Sequence, residues 1–325
     1  MRCIELFLQR SVSMRKREES ALTGVGVVIL KELRDYLGSV RMKLLIGLIL
    51  ITAIASTYGA ASRIRSLVGE DPFLLLGLFT VAKDPVPSFV AFLGFLIPLA
   101  AIALGFDAIN SEYSRRTLSR VLSQPIYRDA LIIGKAVAAV LALAIALLAL
   151  WLLILGGGMF FFGIPPTGEQ VTRAFAFYIA TVLYAAIWVV LAMLFSVLFK
   201  QPATSALASL GVWLLITVFW PIIASVVANA VAAPSTLIYA KTHQAISRIS
   251  PNTIFGEVTL ALLNPTTRTL GPVVFSQLEG AVLGTPLPLG VSLLLIWPHV
   301  SGLIAATLVL FAGAYVLFQR QEVRA

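Results

Sequence analysis

Charge is what this chain has least of. Aspartate, glutamate, lysine and arginine make up 12% of its 325 residues, against 59% hydrophobic residues and a mean hydropathy of +0.96. A soluble domain carries about a quarter of its residues charged, because it must present a wetted surface. So much apolar area cannot be hidden from water by folding, so an integral membrane protein is implied. Cysteine occurs once, at Cys3, which excludes an internal disulfide and a cysteine cage for a metal. Histidine occurs twice, at His243 and His299, neither with a ligand-spaced partner. No cofactor or metal is expected in the chain.

Other absences narrow the function. A P-loop needs G-x-x-x-x-G-K-[ST] to cradle phosphates. The only Gly-Lys pair is Gly134–Lys135, with Asp129 where the first glycine is required and Ala136 where the hydroxyl is required. Any ATP and magnesium are therefore expected on another chain. Ionisable residues inside spans mark ion or proton paths. The apolar runs hold essentially none at mid-depth, which counts against a proton- or sodium-coupled transporter. Residues 1–20 contain no apolar run of signal-peptide length and are expected to be a flexible extension. The net charge of +9 does not point to nucleic acid, since the basic residues cluster beside apolar spans.

What is present is six long apolar runs. A helix crossing the hydrocarbon needs about 20 mostly apolar residues. Leu44–Ala60, Ser88–Phe106, Leu131–Leu155, Ala174–Phe199, Ala203–Val231 and Val291–Phe318 meet that need. Nine basic residues precede the first span, four lie between the second and third with Lys135 close behind in the first turns of the third, Lys200 lies between the fourth and fifth, and Arg320 and Arg324 follow the sixth. Seventeen of the 24 basic residues thus fall on one side, which the positive-inside rule assigns to the cytoplasm together with both termini. The expected organisation is a flexible extension (1–20), a cytoplasmic interface helix (21–43) and a six-helix domain (44–325) in the cell membrane.

Two cytoplasmic elements stand out. In "VGVVILKELRDYLGSVR", Val25, Ile29, Leu33, Tyr36, Leu37 and Val40 recur at helical spacing, with Lys31, Arg34 and Asp35 opposite. Such a helix can lie in the membrane interface, either as an anchor alone or with its polar face, Lys31, Glu32, Arg34 and Asp35, docking a partner. The second element, residues 111–122, starts with a capping Asn110 or Ser111 and has Glu112 in its first turn, one turn before Arg116. Thr117, Leu118, Val121 and Leu122 give it a less polar side, and Ser123–Pro125 stops it. A solvated loop carrying positive charge needs none of this, so a docking helix between spans is favoured.

The run "FDAINSEYSRRTLSRVLSQPIYRDALIIGK" resembles the cytoplasmic signature of ABC-type-2 permeases, the membrane subunits of ABC exporters, including NosY-like permeases. The matching positions are Asp107, Glu112, Thr117–Leu118, Leu122, Ser123, Pro125–Ile126, Arg128 and Gly134–Lys135; the family glycine before Thr117 is Arg116 here. "KELRDYLGSVRMKLLIGLILI" is similar to the family's interface helix running into its first span. The resemblance implies that residues 111–122 form a coupling helix seated on an ATPase subunit. Its docking side chains would be Glu112, Arg115, Arg116, Leu118, Arg120 and Leu122. It further implies two ATPase copies, a second permease copy as homo- or heterodimer, and no catalysis by this chain.

Residues 234–290 form a long connection that reads as short re-entrant or interfacial helices, and "FLLLGLFTVA" (73–82) reads the same way. Asn229, His243 and His299 are candidate polar groups of an outer gate or path. Two other functions compete with the exporter: an anchoring or assembly protein that moves no solute, and an intramembrane enzyme. The latter would rest on His299 near Ser301, which lacks an acidic partner in the same span. The six-span reading predicts that a reporter fused within residues 266–285 registers as extracytoplasmic; cytoplasmic labelling there overturns it.

Overall fold

The computed structural model describes residues 24–66, 73–84, 86–114, 128–163, 165–233, 236–270 and 286–321. Among these, helices dominate and the sole β contact is an isolated bridge between Lys83 and Val86. Six helices are long and apolar enough to cross a membrane: Val40–Ile64, Phe89–Glu112, Arg128–Phe162, Gly168–Leu198, Pro202–Val231 and Leu289–Arg320. They coincide with the six expected runs but extend past them. The 35 residues of Arg128–Phe162 reach about 50 Å, well beyond an apolar layer of about 30 Å. The chain is an all-α, multi-pass membrane protein.

In chain order, α1 covers residues 24–38, α2 Val40–Ser66, α3 Leu74–Thr80, α4 Phe89–Gly105 and α5 Asn110–Ser114. Then follow α6 Arg128–Phe162, α7 Gly168–Leu198, α8 Pro202–Leu214, α9 Trp220–Val231, α10 Leu237–Ser247, α11 Pro251–Leu263 and α12 Leu289–Arg320. α1 and Gln321 share one end of the bundle, called the terminal end below.

Ser39 separates α1 from α2. Its hydroxyl donates to the Tyr36 carbonyl (2.7 Å) and accepts from the Met42 amide (3.1 Å), closing one helix and capping the next. The break thus falls four residues before the expected boundary. α3 is a seven-residue helix whose Leu75, Leu76, Leu78 and Phe79 are buried against α2, α4, α6 and α7. Between α8 and α9 the chain widens into a π-turn over Leu215–Phe219, with the Trp220 amide bonding Leu215 O. Pro221 explains it: a proline cannot donate to the carbonyl four residues back and its ring crowds that carbonyl.

α7 is the hub. A capping box of Thr167 and Gln170 starts it, and it packs against α3, α4, α6, α8, α11 and α12. Its apolar stretch is 61% buried, against 11% in spans five and six. Trp151 of α6 donates its indole N–H to Ala174 O (2.7 Å), so the one polar side chain between Ala136 and Leu155 is satisfied. α10 and α11, 11 and 13 residues long, form a hairpin too short to cross. Its tip reaches the middle of span five, where Trp220 Nε1 donates to Ile246 O (2.9 Å) and Ser250 Oγ to Ile216 O (3.4 Å). On α11, Phe255 stacks on Tyr184 of α7 at 4.4 Å, while the Tyr184 hydroxyl donates to Gly94 O of α4 (3.0 Å).

α4 crosses α7 at Gly105, where a Cβ would stand 2.7 Å from Val189 O and 2.8 Å from Ala192 Cβ. Backbone cannot yield as a flexible side chain does. Gly105→Ala is expected to destabilise the purified chain by about 1–3 kcal/mol. Gly156→Ala, with nothing within 4 Å, should leave thermal stability unchanged or raised, and equal melting temperatures for the two would refute the close crossing.

Candidate functional site

Lys135 lies about two turns into α6, at the terminal end, and its side chain is only 5% exposed. Its ammonium sits 3.1 Å from Glu32 Oε2 of α1 and 2.8 Å from Glu112 Oε1 of α5. Burying an ammonium is tolerable only with such partners, since removal from water costs several kcal/mol per ion. Gly134 makes the approach possible: a Cβ there would stand 2.5 Å from Val28 Cγ1, so α1 rests directly on the α6 backbone. Lys31 adds a second cation, 2.9 Å from Glu32 Oε1 and 3.5 Å from Asp35 Oδ2.

These charges set the protonation of α1. Burial alone would raise the Glu32 carboxyl, but Lys135 and Lys31 outweigh it and hold the group below the ordinary carboxylate value. Burial likewise works against the Lys31 ammonium, yet the Glu32 hydrogen bond and the charges of Glu32, Asp35 and Glu112 raise it. Burial, then the Glu32, Asp107 and Glu112 carboxylates, push the Tyr36 hydroxyl far up, so it stays neutral.

The same end is knitted further. Arg41 Nη1 meets Asp107 Oδ2 at 2.6 Å and stacks over Phe106. Ser196 Oγ accepts from the Ile109 and Asn110 amides (3.0 and 3.2 Å). Asn110 Nδ2 donates to Phe199 O (3.2 Å), and Ser114 Oγ donates to Lys200 O (3.3 Å). Arg128 Nη1 donates to Gln321 O (3.1 Å), Gln321 donates to Val197 O, and Gln319 donates to Asp129. The result is a polar collar joining α1, α2, α5, α6, α7 and the end of α12.

Of the docking residues expected from sequence, Glu112 belongs to this collar, whereas Arg115, Arg116, Leu118, Arg120 and Leu122 lie outside the described residues. On α1, Lys31, Arg34 and Asp35 face outward. Glu32 does not. It is 7% exposed and turned inward, which corrects its placement on the outward polar face. The expected stripe residues Val25, Ile29, Leu33, Tyr36 and Leu37 are half-buried, and Val28 and Glu32 widen that stripe inward, while Val40 falls past the Ser39 break on α2 and is exposed. The pairing of Glu32 with Lys135 accounts for the widening, a force that hydrophobic spacing does not register.

At the opposite end the three expected gate residues do not come together. Asn229 is exposed on α9, and His243 on α10 stacks on Tyr239 at 5.9 Å. His299 of α12 instead meets Glu257 of α11, Nε2 to Oε2 at 2.6 Å. Arg248 Nε lies 2.8 Å from the same Oε2, and Gln244 Nε2 donates to Oε1 (3.0 Å). The hairpin therefore carries a cluster of ionisable side chains into the half of the bundle away from the terminal end, where the spans alone promised none. Ser301 bonds Pro298 O, not His299. Above the cluster, fully buried Arg173 of α7 donates to Leu262 O, Leu287 O and Ser292 Oγ and pairs with Glu169 (2.9 Å). Glu257 and Arg173 were missed from sequence; the only signal was a carboxylate and a guanidinium on otherwise apolar helical faces. No group of three or more metal-ligating side chains occurs among the described residues.

A family model of the ABC-2 family transporter proteins matches residues 26–323, from the first turn of α1 past the end of α12. No curated protein matches the chain.

Removing the cation from the collar leaves two carboxylates facing each other. Lys135→Met is expected to cost about 3–5 kcal/mol of stability, and adding Glu32→Met should recover part of it. A depressed carboxyl stabilises above its unfolded value, about 4.3, and that stability is lost as pH falls below it. Thermal melts should thus decline more steeply between about pH 5 and 3 in the native chain than in Glu32→Gln; parallel curves contradict the pairing.

Proposed function

The chain belongs to the ABC-2 family of transporter proteins, and on that premise we propose that it is the permease subunit of an ATP-driven exporter of the NosY-like kind. In this reading the terminal end faces the cytoplasm, ATP and magnesium are held by two copies of a separate ATPase, and a second permease copy completes the membrane path. The chain itself binds, moves and orients without catalysing.

The observation that carries this reading is the Lys135 bridge. Glu112 stands at the start of the segment that the sequence marks for docking, and Arg128 at its close. The first is paired to α6 through Lys135, and the second holds Gln321 at the end of α12. Ser114 is tied to the turn between spans four and five. A displacement delivered between residues 115 and 127 would enter α4, α6, α7 and α12 together, through charge-assisted bonds that do not slide. α1, seated on Gly134 and paired through Glu32, would move with them. An anchoring protein has no need to join the ends of so many spans to one loop.

Leu118 and Leu122 are the apolar contacts proposed for the ATPase groove. Replacing both with serine should release a co-purifying, P-loop-bearing soluble protein from the tagged chain while membrane insertion stays intact. Unchanged association removes the docking assignment. Lys135→Met should instead retain the ATPase and lose its stimulation, and loss of both activities in neither variant would return anchoring to the front.

A further inference from the structure

We infer that the Glu257–His299 pair is a proton-binding site whose occupancy sets how tightly the α10–α11 hairpin is held to α12. The hairpin reaches the middle of span five and returns, so α11 lies inside the bundle with Glu257 on its inner course. Glu257 and His299 side chains are 16% and 10% exposed. An ionisable pair this deep in a membrane protein is expensive to keep and marks function by default.

The surrounding charges define the site. On Glu257, Oε2 receives Arg248 and His299 while Oε1 receives Gln244. The charged groups of α7, which also packs against α12, are Arg173 and Glu169; Arg173 bonds Ser292 at the start of α12, two turns before His299, and Glu169 pairs with Arg173. The charged residues of α6, Arg128, Asp129 and Lys135, all lie at the terminal end. Arg248 and Gln244 already occupy the two Glu257 oxygens, so the open nitrogen left to take up a proton is on the imidazole. Its Nε2 is committed to Oε2, and its Nδ1 is buried without a hydrogen-bond partner. A proton added at Nδ1 makes an imidazolium, and the Nε2–H···O bond to the carboxylate becomes an ion pair, strengthened by the charge now carried on the donor.

Linkage gives the direction. Separating α11 from α12 takes the carboxylate away from the ring, so the separated arrangement binds the proton less well. Acid therefore favours the closed hairpin and alkali releases it. Histidine changes charge between about pH 5 and 8, and each unit of difference in proton affinity shifts the ratio of the two arrangements up to about tenfold. The site is local to this end of the bundle and does not depend on an ATPase; the exporter reading decides only that the pH sensed is that outside the cell.

The test uses the full chain in lipid nanodiscs without any partner. In a Cys3→Ser background, spin labels at Leu260→Cys on α11 and Leu294→Cys on α12, both exposed positions, report the helix separation. The short-distance population is expected to rise severalfold from about pH 8 to pH 5.5. His299→Gln, which keeps an amide donor, and Glu257→Gln should each abolish that rise, whereas His243→Gln should leave it intact. A pH-independent distance in the native chain overturns the inference by itself. So does a rise that survives in His299→Gln or Glu257→Gln, or one that disappears in His243→Gln.

Discussion

One ammonium group organises the terminal end of this protein. Lys135 has no access to water and must be paired, and the partners it finds come from α1 and α5. Each pairing is a distance constraint between elements far apart in the chain. Together they decide where α1 lies, how it is rotated, and where the segment after Glu112 begins. Gly134 is the steric half of the same arrangement: without the missing Cβ, Val28 could not come close enough for Glu32 to reach. A Gly-Lys pair that superficially suggests phosphate binding here serves helix packing and charge burial.

The collar and the hairpin obey different physics. At the terminal end the bonds are charge-assisted and many, and they link the ends of long helices, so the geometry is held in one arrangement. At the far end the hairpin is short and stops midway across. It is secured by burial of Phe255, Val258, Ala261, Leu262 and Leu263 in the core, and its polar ties are a few carbonyl contacts and the Glu257 cluster. Apolar packing is non-directional, so those polar ties are what orient the hairpin against α12.

Much of this architecture was legible in the sequence, because crossing a bilayer imposes a length and a composition. All six spans and the shortness of α3, α10 and α11 follow from counting apolar residues between prolines and charges. The π-turn can be traced back to Pro221, although its width cannot. The charged partnerships were not legible. Glu257 and His299 are 42 residues apart and on different helices, and no local period links them. The inward position of Glu32 was hidden for the same reason: spacing finds the Ile29, Leu33, Tyr36 and Leu37 side of α1, but not the Lys135 pairing that adds Glu32 to it or the Ser39 break that sends Val40 to α2. Hydrophobic pattern fixes which segments cross, and sparse polar contacts then choose among the packings that pattern allows.

That division has a consequence for how a signal could pass from one end to the other. α7 touches both regions: near its terminal end Ser196 accepts the Ile109 and Asn110 amides, and near its start Arg173 grips the ends of α11 and α12. Between them the helix is buried among α4, α6 and α12, with Gly105 pressed onto its backbone. Close-packed helices of this length do not bend by small degrees to absorb a push; they shift as bodies or hold. A shift of the collar must therefore appear at Arg173, and with it at the ends of α11 and α12 that Arg173 joins. The contact with least redundancy between those two helices is the Glu257–His299 pair, so that is where displacement of the bundle would be admitted or refused.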